Sequence, residues 1–229
     1  MILTEAEWQI IALSIQIGFW SCMLNFLPAF SIAWLLSRKK FWGRFIVEAL
    51  VYLPLILPPV VVGYGLLWVF GNFGLLGKWL NLWFGWDFVF SWYGAVVSSA
   101  IMAFPLMVRS FRLSIDHMGV AWDQTAQILG AGRLRILLTI VLPLILPGIC
   151  AGVFLGFARS LGEFGATITF VANIANQTQT LPLAIYSLMQ QPGGEILAWR
   201  LCLFSLAIAF IALTVSEYLI RRWHKQYFL

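Results

Sequence analysis

Charged residues are scarce in this chain. Asp, Glu, Lys and Arg make up 10% of its 229 residues, whereas hydrophobic residues make up 62%. A soluble globular domain usually carries roughly 25% charged residues. The mean hydropathy of +0.91 agrees with this imbalance. The composition therefore excludes a soluble domain and indicates an integral membrane protein.

Cysteine clusters and catalytic motifs are missing as well. The three cysteines lie singly in apolar runs, and no CxxC pair is present, so neither a disulfide framework nor a metal site is indicated. The sequence also contains no GxxxxGK[ST] phosphate loop, no HExxH and no GxSxG. We therefore expect no catalytic residue, no metal site and no cofactor on this chain. If the protein belongs to an ATP-driven transporter, the ATPase lies on another chain.

Long intervals without charge define the membrane segments. A helix needs about 20 apolar residues to cross the hydrocarbon core, and five intervals of this kind occur. The sequence therefore predicts an all-α integral membrane protein with about five transmembrane helices in one permease domain, 1–229. The predicted helices lie near 10–36, 48–70, 91–111, 136–158 and 199–220.

The positive charges predict the orientation. They border the apolar runs and form no basic face, which excludes a nucleic-acid partner and identifies them as topology signals. Of the 14 lysines and arginines, all but Lys78, Arg159 and Arg200 fall on one side of the predicted helices. That side is cytoplasmic by the positive-inside rule. We expect a periplasmic N-terminus, a cytoplasmic C-terminus and contact with membrane lipid.

The second predicted span contains three prolines, Pro54, Pro58 and Pro59. Proline removes a backbone donor, so this span should kink or break. One interpretation is a bend that neighbouring helices stabilise. The other is a gate or a cavity wall at Pro58 and Pro59, because irregular backbone at membrane depth persists only where protein or water satisfies it.

Small residues recur at four-residue spacing in the third and fourth spans. They are Ala95, Ser99 and Ala103, and then Gly148, Gly152 and Gly156. Such spacing lets helix backbones approach closely. It predicts packing seams, either within the bundle or across a homodimer.

Between the fourth and fifth spans, 160–198 is too broken in hydrophobicity for a clean span, so we expect a re-entrant or partly inserted segment that lines a polar route.

The polar passage of 120–135 carries the most specific pattern. Trp122, Ala126 and Leu129 recur at helical spacing with Asp123 and Gln124 on the other side, which predicts a short amphipathic helix on the cytoplasmic side. Gly130 and Gly132 then permit the turn back toward the membrane. An ordinary interfacial helix is the alternative to a docking helix.

The passage resembles the EAA-x3-G-x9-I-x-LP signature of binding-protein-dependent ABC importer permeases. The matching residues are Ala126, Gly130, Ile140, Leu142 and Pro143, whereas Gln124 and Thr125 depart from the signature. The resemblance implies a type I importer permease in which this segment is the coupling helix. Its coupling residues would be Trp122, Asp123, Gln124, Ala126, Leu129, Gly130 and Gly132.

A second resemblance covers essentially the whole chain. The run from Arg159 to Phe170, the Gln177–Pro182 and Pro192–Glu195 passages and the Leu53–Pro59 run look like those of molybdate importer permeases. The family implies a homodimer, two cytoplasmic ATPase subunits that hold ATP and Mg²⁺, and a periplasmic molybdate-binding protein in the cell (inner) membrane. The predicted pathway or gate residues are Pro58, Pro59, Arg159, Gly162, Glu163, Phe164, Gly165, Thr167 and Thr169.

Arg159 and Glu163 stand four residues apart, which is ion-pair spacing on a helix. Burying an unpaired charge costs several kcal/mol, so a route for a dianion should offer hydroxyls and backbone donors. Thr167, Thr169 and the flexible Gly162 and Gly165 can supply them. We favour a structural or gating Arg159–Glu163 pair over direct ligation of cargo.

The leading hypothesis is therefore the permease subunit of a molybdate importer driven by ATP on partner chains. The nearest alternative is a sulfate, thiosulfate or tungstate permease of the same architecture. A self-sufficient secondary transporter or channel is a third interpretation. The near absence of ionisable residues within the spans and of an internal repeat argues against it.

Overall fold

The computed structural model describes residues 4–72, 74–118 and 132–227, and helices are the regular elements of these ranges. Before the gap at 119–131 the helices are α1 (Glu5–Arg38), α2 (Arg44–Ile56), α3 (Pro59–Phe70), α4 (Gly77–Phe84) and α5 (Trp92–Met118). After it come α6 (Arg133–Ile136), a π-helical turn (Leu137–Val141), α7 (Leu142–Leu161), α8 (Gly165–Val171), α9 (Leu181–Met189) and α10 (Glu195–Tyr227).

Four helical stretches of the described ranges are long and apolar enough to cross a membrane, namely α1, α5, the π-helical turn with α7, and α10. They confirm the first, third, fourth and fifth predicted spans. The helices extend past the predicted bounds, because polar residues on either side of the charge-free intervals are also helical. At the start of α1, for example, Thr4 and Glu7 form a capping box.

The second predicted span is divided. α2 and α3 are bent by 115° at a short break, so they count as a fifth span only when taken as one bent pair. The predicted break is thus confirmed, whereas a single continuous helix over 48–70 is not. A bend beyond a right angle turns α3 partly back along α2. The α2–α3 pair therefore forms a folded arm instead of a straight rod.

α5 is the central helix of the bundle, and it packs against α1 and α7. Gly148, Gly152 and Gly156 of α7 face it so closely that an added Cβ would lie within 3 Å of Ser114, Phe111 or Met107 atoms. Ala95, Ser99 and Ala103 of α5 are buried. The predicted small-residue spacing therefore marks a packing seam within the chain, since close backbone approach needs small side chains.

Three apolar clusters divide the interior. The first joins α1, α2 and α5 with α6, the π-helical turn and the first half of α7. The second joins α1, α3, α5 and α8, and the third joins α1, α9 and α10. The predicted interrupted segment 160–198 thus folds into two short helices, α8 and α9, each packed in a different cluster.

Candidate functional site

The break between α2 and α3 is built by proline chemistry. Leu57 is extended, with φ −69° and ψ 143°, because the ring of a following proline disfavours the α conformation. Pro58 caps α3, and Pro59 occupies its first turn, where a missing N–H costs nothing. The broken backbone is thus an intrinsic feature of Leu57-Pro58-Pro59.

The short helix α8 lies directly against this break. A Cβ added to Gly165 would lie 2.7 Å from Pro59 Cβ. A Cβ added to Gly63 of α3 would lie 2.6 Å from the Ala166 carbonyl oxygen and 2.9 Å from Thr169 Cβ. The two glycines let the α3 and α8 backbones nearly touch. The structure therefore brings together the two segments that the sequence predicted separately, Pro58–Pro59 and Gly162–Thr169.

Arg159 and Glu163 form an ion pair, with Arg159 Nη1 2.6 Å from Glu163 Oε2. The Glu163 side chain is 1% exposed and that of Arg159 is 26% exposed. The other oxygen, Glu163 Oε1, accepts a hydrogen bond from the Ala166 N–H at 2.8 Å. The carboxylate thus neutralises the guanidinium and holds the first turn of α8. This geometry agrees with the structural or gating interpretation of the pair.

The remaining predicted pathway residues surround α8. Gly162 ends α7 and is exposed, and the Phe164 ring lies 5.0 Å from that of Tyr186. The Thr167 hydroxyl, fully buried, lies 3.3 Å from the Ser98 hydroxyl. Thr169 donates to the Gly165 carbonyl at 2.8 Å. Both hydroxyls therefore contact protein atoms in this conformation, and their role toward cargo remains a prediction.

The predicted coupling residues lie almost entirely outside the described residues. These are Trp122, Asp123, Gln124, Ala126, Leu129 and Gly130. Gly132 is described; it is exposed, and an added Cβ there would meet no atom within 4 Å. The chain on either side of the gap is anchored, because Met118 and Ile136 both belong to the first apolar cluster. The residues on both sides of this gap are thus tied to the same apolar cluster.

A π-helical turn, Leu137–Val141, follows the predicted coupling segment 120–135. The Leu142 N–H donates to the Leu137 carbonyl, five residues back. Pro143 has no N–H for the Thr139 carbonyl, and its ring would clash with that carbonyl in a regular α-helix. The wider turn relieves this conflict, and such turns are frequent at functional sites. The Ile140-x-Leu142-Pro143 part of the signature thus corresponds to a defined backbone feature.

Buried polar contacts between helices were missed from sequence. The Asn25 side chain donates to the Ala100 carbonyl at 2.7 Å, and Ser21 donates to the Val96 carbonyl at 3.1 Å. At the start of the bundle, Arg200 pairs with the buried Glu7 at 3.1 Å. Asn25 could have been found, because an amide within a charge-free run must find a partner. The Glu7–Arg200 pair has no local signal.

The fold has relatives among solved ABC importers. Against the crystal structure of a bacterial ABC transporter involved in the import of the acidic polysaccharide alginate, the TM-score is 0.74. That match covers 96% of this chain and 80% of the other at 20% identity. Against an inward-facing MetNI methionine ABC transporter the TM-score is 0.69 at 12% identity, over 95% and 94% of the two chains. These likenesses define the architecture as that of a type I ABC importer permease.

The sequence comparison defines the family. Residues 29–226 match the binding-protein-dependent transport system inner membrane component family, and the chain belongs to it. It is thus a permease subunit of a transporter and a multi-pass protein of the inner membrane.

Individual relatives are also close. The chain is 52% identical to the molybdenum transport system permease protein ModB of Haemophilus influenzae, over 96% of each chain. It is equally similar to ModB of Escherichia coli K12, at 52% over 96% of each chain. To the sulfate transport system permease protein CysT of Escherichia coli K12 it is 34% identical, over 83% of this chain and 70% of CysT.

Proposed function

We propose that this chain is the transmembrane permease subunit of an ABC importer that carries molybdate into the cytoplasm. The observation that carries the proposal is the contrast between relatives. Those named for molybdenum transport are 52% identical over nearly the whole chain, whereas the sulfate permease is 34% identical over a shorter part. Sulfate is the second candidate, because that similarity is still substantial.

The geometry at α8 suits transient passage of a dianion. The partly exposed guanidinium of Arg159 is neutralised by the buried Glu163, so this arginine adds no unneutralised positive charge that would trap an anion. Cargo that must leave as well as enter is best served by weak binding. Selectivity then lies mainly with a periplasmic molybdate-binding protein, and Arg159 and Glu163 hold the gate at Pro58, Pro59 and Gly165.

A mechanical route connects the coupling segment with this gate. The chain on both sides of 119–131 is anchored in the first apolar cluster, which also contains Val51 of α2. α2 leads into the break at Pro58, and α3 lies against α8 at Gly165. Movement of a docked ATPase would therefore displace α5 and α7 and bend the folded arm. This sequence of movements produces alternating access.

The complex that performs this work contains further subunits. We assign two copies of this chain, two cytoplasmic ATPase subunits and one periplasmic binding protein. ATP and Mg²⁺ belong to the ATPase subunits, and this chain is a non-catalytic subunit that holds neither. Its N-terminus faces the periplasm and its C-terminus the cytoplasm, so that 119–131 is presented to the ATPase. The whole of 1–229 acts as one permease domain.

Uptake by a reconstituted complex tests the cargo. Proteoliposomes containing this chain and the ATPase subunits of the same transporter should accumulate molybdate only with internal ATP and the external binding protein. Excess sulfate should compete poorly. Efficient competition by sulfate would favour the second candidate, and uptake without ATP would overturn an ATP-driven importer.

A bulky residue at Gly130 tests the coupling segment. Gly130→Trp should prevent docking of the ATPase or leave ATP hydrolysis without uptake, because the added side chain would hold the two surfaces apart. Co-purification of the ATPase, hydrolysis and uptake would be measured together. The control is Gly65→Leu on α3, where an added Cβ meets no atom within 4 Å. Normal assembly and uptake by the Gly130 variant would exclude this segment from docking.

A further inference from the structure

A group of charged side chains outside the gate joins α2 to α5. Arg112 Nη1 of α5 lies 3.0 Å from Glu48 Oε1 of α2. The same oxygen accepts a hydrogen bond from Arg44 Nε of α2 at 2.9 Å. Arg112 also lies 3.6 Å from Asp116, one turn further along α5. One carboxylate oxygen is thus shared by a guanidinium of its own helix and a guanidinium of the neighbouring helix.

The position of this group is mechanically favourable. Arg112 lies near the end of α5, shortly before 119–131, and Glu48 lies near the beginning of α2, whose other end meets the break at Pro58. α2 is a continuous helix of 13 residues even though it contains Pro54, and it is about 20 Å long at about 1.5 Å per residue. A displacement of the first turns of α2 therefore moves the break at Pro58.

The apolar contacts between α2 and α5 hold the two helices together but define their axial register less sharply than a directional contact does. Val51 of α2 packs in the same cluster as Phe111 and Ile115 of α5. Apolar burial resists separation of two helices but is non-directional, so it permits them to slide. A charge-assisted pair between fixed atoms depends on distance and angle. The Glu48–Arg112 contact therefore sets the axial register of α2 against α5.

We propose that the Glu48–Arg112 pair is the positioning contact through which α5 drives α2 and hence the gate. This inference rests on the proposed function, since it describes how ATP on a partner subunit moves this chain. The pair is partly exposed, with side-chain exposures of 28% and 21%. Partly exposed pairs add little stability, so its removal should uncouple the transporter without unfolding it.

Arg44 provides a matched control. It contacts the same oxygen of Glu48 at nearly the same distance, but it belongs to α2 itself. Arg44→Gln removes a pair within α2 and leaves the contact between the helices. Glu48→Gln and Arg112→Gln each remove one charge of the pair between the helices and leave at most a neutral hydrogen bond there. If uptake per ATP falls in these two variants but not in Arg44→Gln, the loss comes from the contact between the helices and not from the loss of a surface charge.

The first measurement is molybdate uptake per ATP hydrolysed in proteoliposomes with the ATPase subunits and binding protein. Glu48→Gln and Arg112→Gln should each reduce this ratio about fivefold or more, the lower range of typical coupling between sites. The double variant should be no worse than either single variant, as expected for two partners of one contact. Arg112→Lys should retain part of the coupling, and Arg44→Gln should match the parent protein.

The second measurement needs no cargo. Spin labels at the exposed positions Leu50 of α2 and Leu113 of α5 report whether the two helices move as one body. ATP should leave their distance distribution unchanged in the parent and in Arg44→Gln, and should shift or broaden it in Glu48→Gln. An unchanged distribution in Glu48→Gln, or an equal uptake loss in Arg44→Gln, would overturn the inference. Failure of molybdate uptake in the parent would overturn the proposed function instead, and the label distances would still decide the role of the pair.

Discussion

At the scale of single residues, the two members of the Arg159–Glu163 pair are not equivalent. The carboxylate is almost completely buried, whereas about a quarter of the guanidinium side chain is exposed. Glu163 also holds the first turn of α8 through the Ala166 N–H. A charge that loses its partner is costly in proportion to its burial. The consequences of removing one partner therefore depend on which charge remains.

We expect Arg159→Gln to be the more damaging change, because it leaves the buried Glu163 carboxylate unpaired. Its cost should approach the 3–5 kcal/mol typical of a broken buried pair. Glu163→Gln should cost about 1–3 kcal/mol, since the new amide oxygen can still accept from the Ala166 N–H and the remaining Arg159 reaches solvent. Thermal unfolding of the purified subunit in detergent would rank the two variants. If Glu163→Gln proved the more destabilising change, the unpaired Arg159 would be the costlier of the two charges.

At the scale of elements, the π-helical turn Leu137–Val141 determines the direction in which α6 leaves α7. α6 follows the residues predicted to couple the chain to an ATPase. Its origin is local, because Pro143 cannot satisfy the Thr139 carbonyl in a regular α-helix. A π-turn contains one extra residue, and one residue of an α-helix corresponds to a rotation of about 100°. Conversion of this turn to α-helix would therefore rotate α6 by about 100° relative to α7.

Pro143→Ala should allow that conversion. We expect thermal stability to stay level or rise, because alanine restores a backbone donor, while ATPase docking or uptake per ATP falls. Pro147→Ala is the matched control, since Pro147 lies within the regular helix α7 and its removal changes no register. Equal uptake per ATP in the two variants would show that the π-turn does not aim the coupling segment.

At the scale of the whole molecule, the predicted membrane orientation rests on the distribution of lysine and arginine. Lys39, which caps the end of α1, and Lys78 on α4 are both exposed and lie on opposite predicted sides. On a background in which the three native cysteines are replaced, Lys78→Cys should react with a membrane-impermeant maleimide added outside intact spheroplasts. Lys39→Cys should react only after permeabilisation. The opposite pattern would invert the assigned topology.

The sequence by itself determined the class of the protein, because membrane insertion depends on local quantities. Charge-free stretches, glycine spacing and proline positions each act within one helix or between neighbours, so α1, α5, α7, α10 and the break before Pro58 were predictable. The Arg159–Glu163 pair was predictable for the same reason, since i and i+4 residues meet on any helix. The EAA-like passage carried the resemblance to importer permeases.

Only the tertiary structure decided what meets across the bundle. That α2 and α3 fold into a bent arm, that Gly165 lies against Pro59, and that Glu48 reaches Arg112 depend on how separate helices pack. Their spacing in the chain has no periodicity that could report these contacts. In a membrane, close packing and a few polar contacts select the partner of each helix. Those contacts are made by residues far apart in sequence, and this is why the contact between the Pro58–Pro59 break and α8 became visible only in the fold.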